Sequence, residues 1–120
     1  MVFEDCDIEA AAKLCAAGKF RNAGQVCISP TRFFVQDSIH DKFLALFKGQ
    51  VEAVKVGNGL DEDMNMGPLV AERRIEIMDG FVSDAVSKGA ELLVGGSGIQ
   101  SPGSFFAPTL LQDVPDTARI

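Results

Sequence analysis

Between Gly24 and Pro30 the chain has to turn, and that turn governs what can stand on either side of it. The stretch Lys19-Phe20-Arg21-Asn22-Ala23-Gly24-Gln25-Val26-Cys27-Ile28-Ser29-Pro30-Thr31-Arg32 joins an Ala-rich, helix-permissive segment to a β-type run, Thr31 to Gln36. Pro30 has no N–H to donate and stops any helix from continuing through it. Cys27 is therefore expected at a sharp change of chain direction, held by backbone on both sides, with its sulfur aimed into a cleft. A nucleophile needs such a place. A lone cysteine beside a glycine is by base rate a small buried hydrophobe, so the thiol depends on its context for any chemical role.

The flanking segments give the coarse architecture. Val2-Phe3 is a short apolar entry that can end a strand. Asp5 or Asp7 offers a helix N-cap, with Glu9 in the first turn. The sequence predicts a helix from Ile8 to about Gly18, with a stripe of small residues at Ile8, Ala11, Ala12 and Cys15. Thr31–Gln36 is predicted as a strand that sends one of Phe33 and Phe34 into the core. Ser38 is expected to cap a second helix, with Asp41 at the capping-box position. Ile39, Phe43, Leu46, Phe47, Val51 and Val54 recur at helical steps, ending by Gly57.

Residues 57–68 read as a loop. A third helix is predicted over about Val70 to Lys88, burying Ile77, Met78, Phe81, Val82 and Ala85, with Lys88 and Gly89 at its end. Glu91–Val94 is a short strand, and Gly95-Gly96-Ser97-Gly98 breaks it. No helix follows that glycine run, so it is not a phosphate loop. Ser104–Val114 is a last extended segment, in which Pro108 suggests an edge or a bulge. Helices between extended segments indicate an α/β layer structure.

Bulk properties exclude several roles. A chain of 120 residues can form one modest domain. A net charge of −6 with scattered Lys and Arg argues against nucleic acid and anionic membrane surfaces. No apolar run is long enough to span a bilayer, and no leader is recognisable. Three cysteines without paired spacing suggest neither a disulfide framework nor a zinc site, and a reducing, cytoplasmic setting is expected. His40 lies off the apolar stripe, without a second His, and is read as a solvated surface residue. Asp61, Glu62 and Asp63 lack calcium-loop spacing and read as a solvated turn.

The string Asn22, Gly24, Gln25, Cys27 and Arg32 resembles the cysteine signature of the aldehyde dehydrogenase superfamily, with Phe20 the imperfect match. Lys55-Val56-Gly57-Asn58-Gly59-Leu60, Met66-Gly67-Pro68-Leu69 and Phe105-Phe106-Ala107-Pro108-Thr109 look like later landmarks of that family in their usual order. The resemblance runs from about Phe3 to the last residue and is closest to the succinate-semialdehyde dehydrogenase branch. It implies that residues 1–120 are a partial, thiol-bearing piece of an α/β/α catalytic domain, without the Rossmann cofactor domain.

It also implies a chemistry. A thiolate adds to the aldehyde carbon, the thiohemiacetal alkoxide expels hydride to a nicotinamide, and the resulting thioester is hydrolysed. By resemblance Cys27 is the nucleophile and its own N–H one donor to the alkoxide. Arg21, six positions earlier, matches the residue that reaches the distal carboxylate of a semialdehyde; the alternative is a surface ion pair. Val26 and Ile28 should line the aldehyde channel. Arg32 fits a structural ion pair, and Arg74 falls where some relatives contact the cofactor's ribose.

NAD or NADP is expected in the parent enzyme, with none expected bound to this chain and no metal. The partners implied are a small aldehyde, the rest of the parent enzyme and, in a homo-oligomer, further copies. The parts that bind the nucleotide and activate the deacylating water belong to segments not in this sequence. The isolated chain is therefore expected to be inactive and, with open strand edges, prone to self-association. Three alternatives remain: a dehydrogenase for another semialdehyde or a broad range of aldehydes, a non-catalytic interaction module keeping the motif, or a thiol redox protein. Ile28, Ser29 and Pro30 give the last no resolving cysteine.

Overall fold

Helix formation begins where the sequence supplies a cap. In the computed structural model, which describes residues 1–120, the Asp7 carboxylate accepts the N–H of Ala10 at 3.1 Å and helix α1 runs Ile8–Phe20. The helix continues to Phe20 instead of ending at Gly18. Ala12, Ala16 and Phe20 are buried, while Ile8, Ala11 and Cys15 pack at the margin of the same core. The small residues let the second helix, α2 (His40–Glu52), lie close against α1.

The apolar period expected for α2 is the one that is buried. Phe43, Phe47 and Val51 are almost fully enclosed, and Ile39 closes the near end. Phe47 packs on Phe43 at 5.4 Å between ring centroids and on Phe33 at 5.0 Å. Each such side chain contributes roughly 1.5–3 kcal/mol by leaving water. The entry to α2 differs from expectation. Ser38 does not cap; it lies in a short 3-10 turn, Asp37–Ile39, and its Oγ donates to Glu4 Oε2 at 2.7 Å. Asp41 meets His40 Nδ1 at 3.1 Å and closes no capping box. The cause is upstream: Gln36 N–H is tied to Val2 O at 3.0 Å, and Ile39 N–H then bonds Gln36 O at 3.1 Å. The chain enters the helix already wound.

Thr31–Gln36 is not a strand. Only Val35 pairs, through one parallel bridge to Val2, with Val2 N–H donating to Phe34 O at 2.8 Å. A ladder needs a partner that stays extended, and the partner turns at Glu4 and Asp5 into α1. The alternation of side chains survives even so: Phe33 is half-buried against Phe47 and Phe34 is exposed.

Residues 57–68 form the expected loop, pinched at its base by a bridge between Val56 and Met66. Asn65 strengthens that pinch, its Oδ1 accepting from Lys55 N–H at 2.8 Å. Helix α3 spans Arg73–Ser87, starting later than Val70. The reason is again tertiary: Leu69 N–H is spent on Ser104 O at 2.8 Å and Val70 N–H on Gln25 Oε1 at 2.8 Å. Of its expected buried face only Ala85 is enclosed, and Ile77 is exposed. Gly89, with φ 108°, closes the helix as expected.

Strand β1 (Glu91–Val94) pairs antiparallel with β2 (Leu110–Gln112), Glu91 opposite Gln112 and Leu92 opposite Leu111, with a bulge between Leu92 and Val94. The last extended segment is thus a strand only at 110–112. Pro108 precedes it, and the irregularity falls on the facing strand. The chain is of the α/β class, in the order helix, helix, helix, strand, strand.

Candidate active site

After Phe20 the chain reverses through one tight turn, Arg21–Gly24, in which Asn22, Ala23 and Gly24 all have positive φ, 50°, 54° and 74°. Left-handed backbone costs an L-residue with a Cβ about 1–2 kcal/mol, less for Asn and nothing for Gly. Three successive residues in that region need compensation, and Gln25 provides it. Its N–H donates to Asn22 O at 3.0 Å and its side-chain Nε2 donates to the same oxygen at 3.1 Å. Asn22 Nδ2 returns a longer bond to Gln25 O at 3.4 Å.

A second turn follows at once. Ser29 N–H donates to Val26 O at 2.9 Å, which puts Cys27 and Ile28 at the tip of the turn 26–29. Ser29 Oγ donates back to Lys19 O at 3.2 Å, tying this turn to the end of α1. Cys27 is exposed, and its N–H takes part in none of the turn's hydrogen bonds. The other two thiols differ. Cys6 and Cys15 pack at the edge of the core, and burial, reinforced by the nearby Cys6, pushes the Cys15 thiol up from its ordinary range.

Two neighbours escaped the sequence reading. Gln25 reaches forty-odd residues along the chain: Nε2 also donates to Pro68 O at 3.3 Å and Oε1 accepts from Val70 N–H at 2.8 Å. It therefore fastens the cysteine turn to the segment leading into α3. Its place in the motif was the only signal, since nothing local to a glutamine announces a distant backbone partner. Lys19 is the other. Its ammonium lies over the turn, so close that a Cβ on Gly24 would sit 3.2 Å from Nζ. Half-burial lowers its pKa below the ordinary lysine range.

The remaining expected residues are spread around this turn. Val26 is half-buried and Ile28 is 82% exposed, so only one of the two flanks of the thiol is sheltered. Arg21 is exposed, and the ion pairs of the structure, at His40–Asp41, Lys48–Glu52, Lys55–Asp63 and Lys88–Asp84, leave it out. Arg32 is in none of those ion pairs either; its guanidinium donates to Ile120 O at 2.8 Å. Arg74 is half-buried in the first turn of α3. A cleft of about 680 Å³ lies elsewhere, between the 56–68 loop and residues 99–105. None of Arg21, Val26, Cys27, Ile28 or Arg74 lines it.

In the glycine run 95–98, Gly98 bridges Phe106 and Ser97 O accepts from Ala107 N–H at 3.0 Å, so the run leads into extended chain and not to a helix N-terminus.

Residues 1–120 match the aldehyde dehydrogenase family. Succinate-semialdehyde dehydrogenase [NADP(+)] GabD of Escherichia coli (strain K12) is 38% identical over 120 residues, all of this chain and 25% of that protein. Glutarate-semialdehyde dehydrogenase of Pseudomonas putida (strain KT2440) is 41% identical over the same length, again 25% of its own. The crystal structure of succinate-semialdehyde dehydrogenase from Burkholderia pseudomallei superposes with a TM-score of 0.93 at 36% identity, covering 98% of this chain and 24% of that one. The chain thus spans about a quarter of the length of the relatives it matches. With the match running from the first residue to the last, the chain belongs to the aldehyde dehydrogenase family.

Proposed function

We propose that this chain carries the catalytic thiol of an NAD- or NADP-dependent aldehyde dehydrogenase that oxidises succinate semialdehyde to the dicarboxylic acid. The observation that supports this most is the placement of Cys27. It is exposed at the tip of the 26–29 turn, beside a left-handed turn whose Asn22, Gly24 and Gln25 are the other members of the signature. The Cys27 sulfur attacks the carbonyl carbon and the unengaged Cys27 N–H is a donor for the alkoxide that results. Val26 and Ile28 flank the approach of the aldehyde, and Arg21 offers a forked donor to the distal carboxylate. NAD or NADP supplies the hydride acceptor and belongs with the rest of the protein, Arg74 being this chain's one proposed contact to it.

The named relatives support the substrate class, since both curated proteins act on semialdehydes that end in a carboxylate. Glutarate semialdehyde is the second reading, favoured by the Pseudomonas putida relative. An extra methylene is worth only about 1–3 kcal/mol of discrimination, whereas the carboxylate is shared. No helix is long and apolar enough to cross a membrane, and three free thiols suit a reducing, cytoplasmic setting for the proposed homo-oligomer.

The test is Cys27→Ala in the complete protein. Aldehyde-dependent reduction of NAD or NADP should vanish; turnover surviving that change ends the reading. The 120-residue chain alone should show no such reduction, and with Leu14, Phe34 and Val70 at 71, 65 and 80% exposure it should self-associate in sedimentation runs.

A further inference from the structure

We propose that Gln25 is a positioning residue for the Cys27 thiol, acting as a clamp between the cysteine turn and the 68–70 segment. The inference rests on the reading of Cys27 as nucleophile and goes beyond it. Every polar atom of the Gln25 side chain is used: Nε2 donates to Asn22 O at 3.1 Å and to Pro68 O at 3.3 Å, and Oε1 accepts from Val70 N–H at 2.8 Å. All three partners are backbone, so the clamp fixes main chain to main chain. Gln25 is two residues from Cys27 and immediately follows three left-handed residues, whose conformation relaxes unless something holds it.

The far end of the clamp is itself fastened. Leu69 N–H donates to Ser104 O at 2.8 Å, and Met66, two residues before Pro68, is buried in the core. The thiol is thus referred to the core by two routes, through Ser29 to the end of α1 and through Gln25 to residues 66–70. Gln25 is exposed and outside the core cluster, so replacing it opens no cavity. A loss of rate on its substitution therefore reports geometry.

The experiment compares Gln25→Leu, Gln25→Glu and Val70→Pro in the complete dehydrogenase, with Cys27→Ala alongside. Leu removes all three bonds. Glu keeps the acceptor for Val70 but loses both donors, and Pro at position 70 removes the N–H from the other side. The expected result is kcat lowered roughly ten- to a hundredfold in Gln25→Leu per folded subunit, since an ångström of misplacement costs up to that much. KM for the aldehyde should change far less than kcat, the split that marks a geometric and not a binding defect. Combining Gln25→Leu with Val70→Pro should cost little more than the worse single change, because both break one clamp.

A kcat within about twofold of wild type in the Gln25 variants overturns the proposal, whatever happens to their melting temperatures. Should Gln25→Leu fail to fold, Gln25→Glu and Val70→Pro are read the same way. Activity surviving Cys27→Ala removes the nucleophile itself. Activity lost there but kept in the Gln25 variants removes only the clamp.

Discussion

The Asp84 carboxylate accepts the backbone N–H of Arg119 at 2.9 Å while pairing with Lys88 Nζ at 2.9 Å, so one acid on α3 holds the last residues of the chain against that helix. Lys88 adds a bond to Thr117 O at 2.7 Å, and the Arg119 guanidinium lies 5.4 Å from the centre of the Phe81 ring. The hydrogen bond from Lys88, then that from Arg119, lowers the Asp84 pKa below the ordinary carboxylate range.

A pH dependence follows from the sign of that shift. The folded pKa lies below the unfolded one, so the stabilisation is fully present above the unfolded value and is lost as pH falls through the folded value. Protection of the Arg119 amide, its exchange rate relative to that of an unstructured chain at the same pH, should fall as the solution is taken below the usual carboxylate range. In Asp84→Asn that protection should already be low at neutral pH and change little on acidification. Protection in that variant as high and as acid-sensitive as in the parent would show that another group holds the tail.

Arg21 carries the substrate prediction. Arg21→Leu in the complete protein should cut kcat/KM for succinate semialdehyde by roughly ten- to a hundredfold, the worth of a hydrogen bond to a charged group, and spare propanal. Equal losses on both aldehydes would take the carboxylate role away from Arg21. Because it belongs to no ion pair here, its removal should leave the thermal midpoint nearly unchanged.

The left-handed turn is tested at Asn22, whose φ is 50°. Asn22→Val places a β-branched side chain where Cβ meets its own carbonyl and should destabilise by about 1–2 kcal/mol. Asn22→Gly removes that clash at the expense of one long side-chain bond and should be close to neutral. Thermal midpoints ranked Gly above Val support the turn as described; the reverse order contradicts it.

Gly95 is a position where a methyl group has nowhere to go. Its φ is 70°, and a Cβ there would overlap the carbonyl oxygen of Pro108. Gly95→Ala should cost roughly 2 kcal/mol or more by chemical denaturation, since backbone on both sides must shift. Gly96→Ala should cost less, because the obstructing group is the flexible end of Leu92. Equal costs would mean that the close approach to Pro108 is not kept in solution.

Local chemistry made part of this fold readable. Asp7 caps α1, the stripe from Ile39 to Val51 is the buried face of α2, and Glu91–Val94 pairs as a strand. Each of these depends on neighbours within one or two turns: a side-chain oxygen near free N–H groups, or apolar residues at the helical period. The bend at Cys27 was legible for the same reason, Gly24 and Pro30 being local breakers.

Partners remote in sequence decided the rest. Val2 has one rung to offer Val35, which leaves Thr31–Gln36 short of a strand; Gln36 pulls the chain into a turn that leaves Ser38 no cap to make; and Gln25 takes the N–H of Val70, so α3 starts only at Arg73. A hydrogen bond between residues 45 apart has no periodicity and no local signature. It forms only because burying Phe43, Phe47 and Met66 brings those backbones together. The sequence by itself thus determined where the chain turns, which faces are apolar and that a thiol stands at the bend, while the tertiary structure alone decided what holds that bend in place.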